Sequence, residues 1–464
     1  MKVVLLSPPY LPYYMRNARC DFVSLSGTQW YPILLGYCGA WLEKHGHTVC
    51  LIDAPVRRWS FATVIKKTMA FRPDWIVLYT GRLSEDSDVA FGERLMSMTG
   101  APVVLAGPFA SARPLVTLGK CQNIRYLIKG EFETAAQELI DGKDPKTIGN
   151  LVYVDNGMVQ ENPLRPPLSR EQLDAIPFVS AFFKNHVRIN KYRALSEPFP
   201  FMDILTGRGC AWGRCTYCLW VHSFVRGPSY TSRSAGNVIE ELSFIEKDMP
   251  RIRSIMIQDD TLTEERAQEL SEAKLRAGIR LLWSCYVRGN LPFGVLALMK
   301  RAGCLNIHVG FESGSDEILR EVRKGISRDR MTEFARDAKR AGLSIHGDFA
   351  IGFPGETAQT VQETTIWACA LRPDTVQFQL MIPFPGTPFY EQLEKKKWLK
   401  DGLPDYPNLR SHEMEILAKK AYRKFYFNRL YLKQILMHPW RLAASRLKVY
   451  WRALPALFWK RYIR

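Results

Sequence analysis

Over residues 1–140, short apolar runs alternate with longer amphipathic stretches. The runs at 3–7, 49–53, 75–80, 103–107 and 124–129 are rich in Val, Ile and Leu at consecutive positions. Both faces of such a strand need cover, which predicts a parallel sheet buried under helices. Residues 33–44 and 88–98 between them have helical spacing. This first segment reads as a five-stranded, doubly wound α/β sheet of Rossmann or flavodoxin type. Its ligand crevice is expected at the carboxyl ends of the strands.

The pattern changes at 141–200. Asp155-Asn156-Gly157 joins two short apolar runs and signals a hairpin. Six prolines between Pro163 and Pro200 then mark a linker. From 201 to 390 strand and helix alternate again, with strands expected at 202–205, 254–258, 281–287, 306–311, 344–351 and 375–382. Helices are expected at 238–247, 263–277, 331–341 and 360–371. Six βα units predict a complete or partial β/α barrel whose chemistry sits at the carboxyl ends of its strands. The organisation expected is therefore 1–140, a linker at 141–200, a barrel at 201–390 and a helical region at 391–464.

Composition narrows the class. Of 464 residues, 47% are hydrophobic and 24% charged, which excludes a disordered chain. No run of about 18 apolar residues predicts a spanning helix. The proline-broken start, Ser7-Pro8-Pro9, is expected to be a strand end rather than a signal peptide. Ten cysteines are too dilute for a disulfide scaffold, and a reducing cytoplasm is the default expectation. His45 and His47 flank Gly46 at a helix-to-strand turn and are expected to face solvent, not to act as ligands.

Three cysteines stand apart from the rest, in Thr206-Gly207-Arg208-Gly209-Cys210-Ala211-Trp212-Gly213-Arg214-Cys215-Thr216-Tyr217-Cys218. Three thiolates within nine residues can close around one metal centre, and Arg208 and Arg214 are expected to favour the thiolates. Zinc would want a fourth ligand, for which His222 is the nearby candidate. Three cysteines also suit an iron–sulfur cluster with one iron left open.

This segment resembles the radical S-adenosylmethionine (SAM) enzymes, although its four-then-two spacing is one residue longer than their usual three-then-two. The resemblance implies that Cys210, Cys215 and Cys218 hold a 4Fe–4S cluster whose open iron chelates SAM. Reduction would then cleave SAM to methionine and a deoxyadenosyl radical. It also implies Tyr217 near the adenine and Asp259 and Asp260, in Gln258-Asp259-Asp260-Thr261, at the amino end of SAM. Glu312 and Ser313, in Val309-Gly310-Phe311-Glu312-Ser313-Gly314, would meet the ribose hydroxyls. Ile351-Gly352-Phe353-Pro354-Gly355-Glu356 and Pro383-Phe384-Pro385-Gly386 extend the match. On residues alone, Asp259 or Thr261 could instead cap the following helix. Arg288 could face the SAM carboxylate or be a surface charge.

With a barrel of this kind behind it, the first segment resembles the cobalamin-binding domain of one subgroup. The matching residues are Ser7 and Pro8, Thr80, Gly107, Gly130 and Glu131, all at strand ends. Small residues there would let a corrinoid approach the backbone. No Asp-x-His-x-x-Gly is present, so cobalt would lack a protein histidine, and Ala106-Gly107 replaces a common Gly-Gly. The rival reading is a flavodoxin-like domain without its cofactor.

The net charge of +18 is uneven. Residues 419–464 hold thirteen Lys or Arg and no acid, which leaves +5 for the other 418 residues. Interleaved Trp and Tyr suit a membrane interface, with nucleic acid as the rival partner and a packed helix as the bland reading. The tail, together with Thr206-Gly207-Arg208-Gly209-Cys210 and Cys218-Leu219-Trp220, resembles subgroup members acting on hopanoid lipids or Mg-protoporphyrin esters. The expected function is a cobalamin-dependent radical SAM enzyme that methylates, cyclises or rearranges an unactivated carbon of a hydrophobic, membrane-associated substrate such as a hopanoid, isoprenoid or tetrapyrrole. Expected partners are that small-molecule or lipid substrate, the membrane surface and an electron donor such as flavodoxin or ferredoxin. A radical SAM enzyme without cobalamin and a tRNA-modifying enzyme are the alternatives.

Overall fold

The structure is a computed structural model that describes residues 1–12, 14–16, 21–24, 27–194, 196–225, 227–429 and 431. The chain forms two compact units. The first takes Met1–Ala194, Pro200–Gly209 and Leu219–Asn237; the second takes Leu195–Phe199, Cys210–Cys218 and the chain from Val238 on.

The first unit is built on a seven-stranded sheet. Its strands are β1 (Lys2–Ser7), β2 (Thr48–Asp53), β3 (Trp75–Tyr79), β4 (Val103–Ala106), β5 (Tyr126–Ile128), β6 (Leu151–Asp155) and β7 (Met158–Glu161). Their order is β2-β1-β3-β4-β5-β6-β7. The first five are parallel, as their unbroken apolar runs demand. That 2-1-3-4-5 order is the flavodoxin-like one, whose ligand crevice opens where the order reverses, between β1 and β3. The Asp155-Asn156-Gly157 hairpin forms, and β6 adds antiparallel to β5 rather than standing alone. Val152 and Leu127 share the same core as Val4 and Ile76, which explains why the hairpin docks there.

Helix Ile33–Lys44 matches its sequence reading and packs closely because two of its residues are glycines. A Cβ on Gly36 or Gly39 would lie 2.4 or 2.2 Å from the rings of Phe183 and Phe182. The turn after this helix corrects one expectation. His47 is buried, 7% exposed, because its backbone N–H bonds Leu42 at the helix end and draws the residue inward. Its Nε2 lies 3.2 Å from Asp141, and desolvation pushes its pKa down.

A second sheet carries β8 (Phe201–Ile204), β9 (Ser254–Ile257), β10 (Leu282–Val287), β11 (Cys304–Glu312), β12 (Ser344–Ile351) and β13 (Thr375–Leu380) in sequence order. Neighbours from β9 to β13 are parallel. Helices Glu264–Arg276, Phe293–Arg301, Arg328–Arg340 and Ala358–Leu371 connect them. Sequential parallel strands with helical returns give the barrel-type α/β arrangement that the alternation predicts. The helix-facing side is aromatic: Phe349 stacks on Phe311 and Phe378 and meets Trp367 edge-on.

The early part of the basic segment is packed rather than free. Helix Ser411–Tyr426 lays Tyr422 against Phe378, and the Tyr426 hydroxyl accepts from the Val376 N–H. Tyr431 donates to the Asp374 carbonyl. Residues 432–464, with Pro439, Pro455, Trp440, Trp451 and Trp459, lie outside the described residues. Among the described residues, no helix is long and apolar enough to cross a membrane.

Candidate active site

The cysteine loop is held by a turn far along the chain. The Thr216 N–H donates to the Val322 carbonyl, the Trp212 indole N–H donates 2.9 Å to the Arg323 carbonyl, and the Phe389 N–H donates to the Thr216 carbonyl. Trp212 lies over Gly325, where a Cβ would sit 2.1 Å from the ring, and Gly325 has φ 71°. Its ring is also covered by the Arg288 guanidinium at 4.4 Å and approached by Arg214 at 5.1 Å. Arg288 donates in turn to the Lys324 carbonyl. It is therefore neither a solvent-facing charge nor free to swing.

Beside this loop sits a buried charged group. A register shift between Gly310 and Glu312 distorts the last residues of β11, and Glu312 adopts φ 62° there. Lys324 donates 3.1 Å to the Glu312 carboxylate, and both are buried. Gly310 makes the pair possible: a Cβ on it would lie 2.3 Å from Glu312 Oε1 and 3.2 Å from Lys324 Nζ. The Tyr217 hydroxyl also bonds Glu312, and its ring packs 5.0 Å from Phe353. Burial pushes the Cys215 thiol up, while Lys324 and Arg288 oppose that shift. Cys215, Tyr217, Glu312, Lys324 and Arg288 thus share one electrostatic neighbourhood.

Arg208 does not serve the thiolates. It pairs with the part-buried Glu131 at 2.9 Å and the buried Glu133 at 2.7 Å, and these two carboxylates claim its charge first. Asp259 and Asp260 lie at the end of β9, and neither caps the next helix; Thr263 does, accepting from the Arg266 N–H. Asp259 is buried. The Ser313 hydroxyl is shared with Thr364 and accepts from the Ser315 N–H, so it is already engaged. Glu356, at the end of β12, accepts from the Gly352 N–H at 2.8 Å, and burial pushes its pKa up to about 7.

In the first unit the chosen residues gather at the strand ends. Thr80 donates both its N–H and its hydroxyl to the Ala106 carbonyl. Gly107 has φ 125°, and a Cβ there would meet the Thr80 carbonyl at 2.7 Å. Ser111 links the next pair: its hydroxyl donates to Gly107 and accepts from the Gly130 N–H. A Cβ on Gly130 would lie 2.8 Å from the Phe224 carbonyl. These glycines are required by the protein's own backbone, besides anything a ligand asks of them. Ser7 bonds Asp53, whose pKa burial raises to about 6, and Asp53 also accepts from the Tyr192 hydroxyl. The Pro8 carbonyl accepts from Arg16 at 2.7 Å. Arg16 in turn pairs with Asp88 at 2.6 Å, both side chains fully buried, while Ser84 and the Gly81 N–H complete the carboxylate's bonds.

Residues 204–368 match the Radical SAM superfamily. The chain is 30% identical to an uncharacterized methyltransferase of Pyrococcus horikoshii, over 98% of this chain and 99% of that one. The chain belongs to the radical SAM superfamily. It is also 24% identical to cytidylyl-2-hydroxyethylphosphonate methyltransferase of Streptomyces wedmorensis, over 91% of this chain and 90% of the relative. Among solved structures it shares its fold with the radical SAM methyltransferase TsrM of Kitasatospora setae, determined with cobalamin and a [4Fe-4S] cluster. That likeness has a TM-score of 0.65 at 21% identity and covers 85% of this chain and 78% of that one.

As a radical SAM enzyme the chain needs a cluster rather than a lone ion, and its donor set fits. Cys210, Cys215 and Cys218 offer three thiols from one loop, none of them in a disulfide, which matches three irons of a 4Fe–4S cluster and leaves the fourth open. The sequence reading missed Lys324, Ser111 and the Arg16–Asp88 pair. Local pattern carries no signal for them, because each acts on a partner brought near by the fold.

Proposed function

We propose that this chain is a cobalamin-dependent radical SAM methyltransferase acting on an unactivated carbon. Cys210, Cys215 and Cys218 are the cluster ligands, and the strand ends from Ser7 and Pro8 through Thr80, Gly107, Gly130 and Glu131 hold cobalamin. When bound, the cluster and SAM supply a carbon-centred radical and cobalamin supplies the transferable methyl group.

The protein's own residues bind and orient. Glu312 is aimed by Lys324 and Tyr217 toward the ribose hydroxyls of SAM. Asp259 and Asp260 take its amino end, and the Tyr217 ring, fixed on Phe353, borders its adenine. Ser313 supports Glu312 less directly, because its hydroxyl already serves Thr364. The observation that carries this reading is the fixed cysteine loop beside a buried, positively compensated Glu312.

The substrate is read as hydrophobic and membrane-associated, of hopanoid, isoprenoid or tetrapyrrole type, modified at the cytoplasmic face with flavodoxin or ferredoxin as the electron source. Support comes from the thirteen basic residues and interleaved aromatics after residue 418.

Anaerobic reconstitution with iron, sulfide, SAM and cobalamin tests it. The expected result is reductant-dependent SAM cleavage that is lost on replacing Cys215 by alanine. Zinc in anaerobically purified chain, or cleavage that survives replacement of all three cysteines, would overturn it. Mass spectrometry of lipid extracts with and without the gene tests the substrate.

A further inference from the structure

Four adjacent strands place a single row of residues across the barrel sheet. Tyr286, His308, His346 and Thr375 are register partners on β10, β11, β12 and β13. The helix-facing side of β12 carries Phe349, which packs on Trp367. Side chains alternate along a strand, so His346 and Asp348 occupy the opposite face, the lumen. The rings of His308 and His346 are 4.7 Å apart, and Asp348 lies 3.3 Å from His346 Nε2. One ligand atom from each of His308, His346 and Asp348 lies within 4.8 Å of the other two. The structure places these three donors together although they come from two strands and are separated by up to forty residues.

We propose that His308, His346 and Asp348 bind one divalent transition-metal ion in the barrel lumen. Two neutral imidazoles and one carboxylate bring a single negative charge, which suits a divalent ion. The mixed nitrogen and oxygen set favours zinc, iron(II) or cobalt over calcium or magnesium. The support around the site has the form that metal-binding histidines need. His346 Nδ1 lies 2.7 Å from the Thr375 hydroxyl; donating its proton there leaves the Nε2 lone pair on the side of Asp348. The Tyr286 ring, 4.8 Å from that of His308, braces the second imidazole.

Three protein ligands leave a divalent ion with unfilled positions. Asp348 stands in register with Gly310, beside which the Glu312 carboxylate and Lys324 are packed. His308 and Glu312 are four residues apart on β11, about 13 Å of strand. An ion here leaves positions for water or for an oxygen donor of a substrate entering the lumen from the Glu312 end. The three protein ligands are distinct from the cysteine trio, and the assignment does not rest on the cluster or on cobalamin.

The test uses the full chain without a histidine tag and with Cys210, Cys215 and Cys218 replaced by serine, which removes their sulfurs. Anaerobic titration with cobalt(II) should develop a visible ligand-field band that saturates at one equivalent and lacks sulfur-to-cobalt charge transfer. His308→Ala and His346→Ala should abolish the band, with unchanged circular dichroism. The gentler Asp348→Asn and Thr375→Val should each weaken binding about tenfold or more. No saturable band, or a band equally strong in His308→Ala, would overturn the proposal. Should the alanine variants fail to fold, unchanged affinity in both Asp348→Asn and Thr375→Val would overturn it as well.

Discussion

Glu312 shows how much one missing side chain decides. Its carboxylate occupies space that any Cβ at Gly310 would take, 2.3 Å from Oε1. Lys324 then neutralises a charge that burial alone would make costly. Replacing Lys324 by methionine should destabilise the chain by about 3–5 kcal/mol, because it leaves that carboxylate buried without its cation. Chemical denaturation reads this, and the double variant with Glu312→Gln should recover most of the loss. If the double variant is as unstable as the single one, the pair is not the cause. Glu356 gives a pH test. Its pKa rises from 4.5 to about 7 in the fold, with burial the main cause. Below pH 4.5 both states hold the proton. Between 4.5 and 7 the folded state keeps a proton that the unfolded chain has released, so stability falls as pH rises through that window. The difference is on the order of 3 kcal/mol. Glu356→Gln should therefore flatten the fall in thermal midpoint between about pH 5 and pH 8. An unchanged slope would assign the pH dependence to Asp53 and Asp88, whose pKa values are also raised.

At the scale of elements, the cysteine loop depends on the turn that follows helix Asp316–Glu321. Trp212 reaches that turn through the Arg323 carbonyl and lies on Gly325. Gly325→Ala should displace the indole, cost about 1–3 kcal/mol and lower the iron retained per chain after reconstitution. Gly278→Ala is the control: it has a similar φ of 67° but nothing within 4 Å of its Cβ. Equal iron in the two variants would show that the loop does not need this support. The same contrast separates what was legible in the sequence from what was not. Strand positions and the cysteine, acidic and glycine motifs are local, and apolar runs place β1 and β12 to within a residue. Lys324 was not legible, because its carboxylate lies twelve residues back across a turn. Arg208 was assigned to the thiolates because they are its neighbours in sequence. The fold sends it instead to Glu131, 77 residues away. His308 and His346 look unrelated until strand register sets them side by side.

For the whole molecule the excess charge is concentrated at one end, with thirteen Lys or Arg and no acid over residues 419–464. Helix Ser411–Tyr426 belongs to the barrel, since Phe425 is buried and Tyr426 exchanges hydrogen bonds with Val376. A truncation near residue 415 would therefore strip packed structure along with charge, and its loss of binding would mean little. A cut after Tyr431 keeps those contacts. It removes Lys433, Arg441, Arg446, Lys448, Arg452, Lys460, Arg461 and Arg464, eight of the chain's net +18, and leaves +10. Each basic residue near an anionic surface contributes about 1 kcal/mol, and the Trp and Tyr side chains among them add interfacial burial. The full chain should thus sediment with phosphatidylserine vesicles in a salt-sensitive way, whereas the shortened chain should stay in the supernatant with an unchanged thermal midpoint. Salt sensitivity discriminates further, because charge attraction decays within about 8 Å at physiological ionic strength and purely apolar insertion does not. Equal sedimentation of the two chains would remove the membrane from the substrate reading. The barrel and its cofactors would then have to be matched to a substrate that arrives through water.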